Sequence, residues 1–114
     1  MKIDGNPFKN SDTCEGISFS TPDPSLDLAA ITITGRYPES GWAMNEVVRE
    51  MVYIESGTGE LLYETGETTS LKLGDVVTID SGTWFAWNGD MKIIMACQPA
   101  FHPNQYKIKE HNEI

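Results

Sequence analysis

A chain of 114 residues with 39% hydrophobic and 22% charged content has room for one hydrophobic core and no independent second one. No apolar run approaches the roughly 18 residues of a membrane helix, and Met1-Lys2-Ile3-Asp4-Gly5-Asn6-Pro7 shows no basic stretch ahead of an apolar one, so a cytoplasmic protein without a secretory leader is expected. Seventeen acidic against eight basic residues, dispersed along the chain, give a formal charge of -9, which repels nucleic acid and anionic membrane surfaces.

In chain order, residues 1–26 hold Asn6-Pro7, Thr21-Pro22 and Asp23-Pro24, and they are expected to run as an extended arm over the domain. A body follows over 27–99. It opens with Asp27 to Gly35, in which Ile31 and Ile33 alternate with Thr32 and Thr34, the period of a half-buried strand. Further short strands are expected at Arg49 to Glu55, Glu60 to Glu64, Thr69 to Leu73, Asp75 to Ile79, Thr83 to Trp87 and Met91 to Cys97. Ser56-Gly57-Thr58-Gly59 and Asn88-Gly89-Asp90 read as reversals, because glycine tolerates the positive φ of tight turns. Apolar residues never recur at three-and-four spacing for more than a turn, which leaves an all-β sandwich or barrel. A tail, 100–114, completes the single domain. Cys14 and Cys97 share no CxxC or Cys/His spacing, so two reduced thiols are expected rather than a disulfide or zinc framework.

The order Glu50, six residues, Gly57, then Gly74-Asp75 and Asp80-Ser81-Gly82-Thr83-Trp84-Phe85 resembles the two motifs of the cupin superfamily, E-x6-G and G-D followed by P-x-G-x2-H. The resemblance covers roughly residues 30 to 98 and implies a small double-stranded β-helix, the jelly-roll barrel of single-domain cupins. It also exposes what differs. The window of the first-motif histidines is occupied by Ala43-Met44-Asn45-Glu46, and the second-motif histidine falls on Phe85. Cupin metals rely on imidazole nitrogens, and one glutamate beside an aromatic ring cannot close such a shell, so neither a metal nor another cofactor is expected. A makeshift site of Glu46, Glu50 and His102 follows no known ligand spacing.

If Glu50 keeps the inward position the resemblance implies, alternation turns Val52 and Ile54 inward as well and leaves Arg49, Met51, Tyr53 and Glu55 outside. Phe85 carries Thr83 and Trp87 into the lumen by the same parity. The candidate ligand-binding set is Trp42, Asn45, Glu46, Glu50, Val52, Phe85 and Trp87, around a small ligand that is sugar-like or aromatic. The competing reading is a barrel filled by its own side chains. Glu50 pairs with Arg36 or Arg49, or, facing apolar neighbours without a cation, holds its proton above the usual range.

An enzyme is the alternative to a binding module. Glu50 with His102 would then form an acid/base pair, as in the metal-independent sugar isomerases and epimerases of the superfamily. His102, which lies before Pro103, also fits a surface turn, and His111 lies in the polar tail. A structural or regulatory module is the third class. Met51 and Tyr53 on an outer strand face call for a cover, and a homodimer is the expected one.

Overall fold

The structure, a computed structural model, describes residues 1–110; His111 lies outside the described residues. Its elements are the strands β1 (Asn6–Ser11), β2 (Cys14–Phe19), β3 (Asp27–Tyr37), β4 (Trp42–Asn45), β5 (Arg49–Tyr63), β6 (Thr68–Lys72), β7 (Val76–Ile79), β8 (Phe85–Gln98) and β9 (Tyr106–Lys109), with a 3-10 turn at Pro103–Gln105. They form one curled antiparallel sheet, a half-barrel of the cupin type, as the two motifs imply.

Two long strands carry the sheet. β8 pairs with β3 along one edge, from Asp27 opposite Cys97 to Tyr37 opposite Trp87, and with β5 along the other, from Arg49 opposite Gln98 to Tyr63 opposite Phe85. The outer edge of β5 is then shared: Glu50 to Tyr53 pair with β7, and Thr58 to Leu62 pair with β6. Where an extended N-terminal arm is expected, β1 and β2 form a hairpin that continues the sheet beyond β3.

The two expected reversals in the body are strand interiors instead. β5 passes unbroken through Ser56-Gly57-Thr58-Gly59 and β8 through Asn88-Gly89-Asp90, with Gly57 opposite Met91 and Gly59 opposite Gly89. Close approach of the two backbones requires these glycines. A Cβ on Gly57 would run into the Asp90 carbonyl oxygen, and one on Gly89 into the Gly59 Cα. Both residues also hold positive φ, +84° and +150°. A bulge at Glu55, between the Ile54 and Ser56 pairings, shifts the inward parity of β5 from even to odd positions.

The Gly-Asp turn of the second motif does form. Gly74 takes φ +90°, the Asp75 carboxylate accepts from the Lys72 N–H at 2.9 Å, and the Gly74 N–H donates to the Ile54 carbonyl at 2.9 Å, which locks the turn against the bulge. Inside the curl, Ile33, Val52, Ile54, Leu61, Phe85, Trp87, Met91 and Ile93 make the buried core. Among the described residues no helix is long and apolar enough to cross a membrane.

Candidate functional site

Alternation along β5 places Glu50, Val52 and Ile54 on the buried face and Arg49, Met51, Tyr53 and Glu55 on the exposed one, as expected from the Glu50 position. The inner face of the sheet encloses a cavity of about 440 Å³. Of the expected lumen set, Glu50, Phe85 and Trp87 line it. The two rings meet edge to face at 6.3 Å between centroids and leave the space open rather than filling it. Val52 is buried in the core between its partners Met95 and Val77 without reaching the cavity. Thr83 stays outside, because β8 begins only at Phe85. It sits in the preceding turn, beside a separate shallow groove with Tyr63 and Trp84.

The remaining members of the set stand behind the lumen wall or at the surface. Trp42 packs under the Arg36 guanidinium, 4.9 Å from its ring centroid. Glu46 is exposed and pairs with Lys107 at 3.7 Å. Asn45 is buried behind the wall, and its side-chain oxygen accepts from Gln105 Nε2 at 2.8 Å. Gln105 is a buried polar residue that sequence reasoning missed. Its oxygen in turn accepts the Val47 and Val48 N–H groups at 3.2 and 3.1 Å, so the 3-10 turn is clasped to the β4–β5 connection. His102 is exposed and contacts Asn104 at 3.2 Å; its neighbours Phe101 and Pro103 line the cavity and it does not. Glu50 and His102 therefore do not meet in the lumen. Among the described residues no three His, Cys, Asp or Glu side chains are grouped to hold a metal ion, so Glu46, Glu50 and His102 form no such cluster.

Electrostatically the lumen is dominated by Glu50. The residue is only 5% exposed, and its Oε1 has no hydrogen-bond partner. Neither arginine proposed for it is available: Arg49 pairs with Asp80 at 3.4 Å on the outer face, and Arg36 donates to the Pro38 carbonyl. Burial accordingly pushes the Glu50 carboxyl up to about 7. The nearby Asn45 amide, which makes no hydrogen bond to it, acts in the opposite direction, and Asp27 adds to the rise.

Asp27, also missed from sequence, lies on the same inward row. It pairs with Cys97, and Cys97 pairs with Glu50, so a thiol sits between two acids across β3, β8 and β5. Burial, then Glu50 and Asp27, raise the Cys97 thiol far above its ordinary value, and burial lifts Cys14 to about 11, so both cysteines are neutral. Tyr37 and Tyr106 complete the polar lining, with hydroxyls 3.5 Å apart and both phenols raised chiefly by burial. These residues left little signal in sequence. Asp27 and Tyr37 are the ends of a strand whose middle carries the alternation, and Tyr106 arrives on a strand recognised only by its pairing with β4.

Comparison with known proteins fits this architecture. Streptomyces PAC13, in a variant bound to uridine, superposes with a TM-score of 0.84 at 18% identity, covering 96% of this chain and 90% of that one. A further structure of Pac13, described as a unique nucleoside dehydratase, gives 0.84 at 18% over 96% of this chain and 91% of that one. EutQ from Clostridium difficile gives 0.66 at 18%, over 81% and 66%. At such identities the likeness establishes the fold alone. A search of curated proteins found no match. The model of the EutQ-like cupin domain matches residues 32–95, more than half of the chain and the stretch that contains both motifs. The chain belongs to the EutQ-like cupin domain family.

Proposed function

We propose that the protein binds a small organic molecule with an aromatic or sugar-like ring in the lumen beside Glu50, using its own side chains rather than a metal. The observation that carries this reading is an open cavity of about 440 Å³, within the size range of small-molecule sites, with one buried acid of unpartnered Oε1 on its wall. An unpartnered polar atom in an apolar wall is costly unless a ligand or water satisfies it. The uridine held by Streptomyces PAC13 gives a scale for such a molecule. A thermal-shift panel of nucleosides, sugars and aromatic metabolites tests the proposal: a concentration-dependent rise in Tm is expected for one class, and silence across the panel favours a structural module.

A second reading, acid/base catalysis, is favoured by one specific observation. A carboxyl held at about 7 is populated in both protonation states near neutrality, which suits proton transfer. Glu50 would carry that role without His102, and Glu50→Gln would abolish turnover while a neutral ligand of the same shape still binds.

The outer face supports a homodimer. Pro7, Ile17, Ala30, Ile94, Tyr53 and Val76 form one outward row across six strands, and Phe19, Leu28, Ala96 and Met51 form the next. Met51 and Tyr53 remain 57% and 44% exposed, since the N-terminal hairpin extends the sheet rather than covering it. The flanking row of Lys9, Glu15, Thr32 and Lys92 is polar and gives the apolar rows a charged border, as the rim of an interface has. Two free, buried cysteines are in keeping with a cytoplasmic setting.

A further inference from the structure

We infer that the ligand of this lumen carries a positive charge, an amine or quaternary ammonium group that seats against Glu50 and Asp27 within a wall of aromatic rings. The inference rests on the lumen being a binding site and adds the chemical class of what it takes. Three observations converge on it.

The charge balance of the cavity comes first. Two acids line it and, among the described residues, no lysine, arginine or histidine does. Glu50 is 95% buried, its Oε1 has no partner, and the arginines near the sheet are committed elsewhere. Asp27 lies one strand beyond Cys97 on the same row, placing the two backbones about 9–10 Å apart. The thiol between them is neutral, so no cationic side chain in the wall offsets the two acids. A ligand carboxylate or phosphate entering this space would meet two acids, one of them, Glu50, buried. A cation would instead supply the missing counter-charge.

The rings are placed to accept a cation as well. The Phe101 N–H donates to the Asp27 carboxylate at 3.0 Å, and the Phe101 ring meets Tyr106 edge to face at 5.6 Å. Tyr106 in turn reaches Tyr37 through its hydroxyl. All three rings line the same cavity as both acids. Aromatic faces attract an ammonium group through their quadrupole, and the attraction grows once the cation is desolvated.

The third observation concerns the proton. The titratable groups facing Glu50 are Asp27 from β3, Cys97 from β8 and Tyr106 from β9, while β7 contributes Ile79 and β4 the neutral Asn45. Cys97 and Tyr106 titrate well above neutrality and Ile79 and Asn45 not at all, so a cation seated there acts on Glu50 and drives its proton off.

The test uses the full chain and three probes of one shape: 2-phenylethylamine, the neutral 2-phenylethanol and the anionic phenylacetate. Calorimetry at about pH 6, in two buffers of different ionisation enthalpy, reads affinity and proton release together. The amine is expected to bind at least about tenfold tighter than the alcohol and to release close to one proton, and the acid to show no binding. Glu50→Gln should erase the preference for the amine and the proton release while the alcohol still binds, and Asp27→Asn should weaken the amine with proton release retained. Binding of the alcohol as tightly as the amine, or amine binding without proton release, overturns the cation inference and leaves the lumen reading intact. Absence of binding by all three probes and by the wider ligand panel overturns both.

Discussion

The two ends of β8 face the same cavity with the same parity and opposite chemistry. At one end Trp87 lies between Tyr37 and Leu61, apolar surface on apolar surface, and Phe85 closes against it. At the other Cys97 lies between Asp27 and Glu50, where burial works against charge instead of with hydrophobicity. One rule of alternation therefore builds both a stabilising wall and a destabilising one. The second is what the proposed binding reading rests on, since a buried acid with an unpartnered oxygen costs the fold stability.

That contrast can be broken most forcefully at the ring end. Trp87→Ala removes a side chain that is 3% exposed and should lower unfolding free energy by about 3–5 kcal/mol, read from urea titration. A loss below about 1 kcal/mol would show that the ring is not part of the core. The acid end should respond in the opposite direction. Because the folded Glu50 carboxyl is raised from 4.5 to about 7, the native state binds the extra proton within this window. Its contribution is fully favourable below the lower value and is lost as pH rises through the upper one, a fall of about 3 kcal/mol. Glu50→Gln should flatten that fall and match or exceed the wild type in stability at about pH 8; an unchanged pH profile in the variant would assign the titration elsewhere. The smallest effect on stability belongs to the outer face. Tyr53→Lys should change unfolding free energy by no more than about 0.5 kcal/mol, yet it should convert a dimer to the 12.7 kDa monomer in light scattering. A wild type already monomeric at micromolar concentration removes the dimer.

The barrel class and the inward face of β5 were legible because Glu50 fixes the parity and β-branched residues announce their strands. The glycines were not, for a physical reason. A tight turn and a close crossing of two backbones both demand a residue without Cβ, and letters alone do not separate Gly57 from Gly74. Glu50, Phe85 and Trp87 were found by parity. Asp27, Tyr37 and Gln105 were missed because their roles arise from partners more than fifty residues away in sequence, as in Asp27 opposite Cys97, Tyr37 reaching Tyr106 and Gln105 bonding Asn45. Val52 is expected inward by alternation and is buried on that face, but it packs in the core short of the cavity, while Trp42 and Glu46 meet Arg36 and Lys107 instead.

The unbroken pairing of β5 and β8 also sets how the chain reaches its fold. The β5–β6 hairpin is the local contact in this part of the sheet, whereas β8 must reach β5 from Tyr63 opposite Phe85 to Arg49 opposite Gln98, and β3 from Tyr37 opposite Trp87 to Asp27 opposite Cys97. Loop closure on that scale is paid before the contacts that repay it form, so folding should proceed in milliseconds to seconds rather than microseconds. The central strand β8, apolar toward the lumen, is the segment whose edges stay unpaired longest, and refolding yield should therefore fall as protein concentration rises.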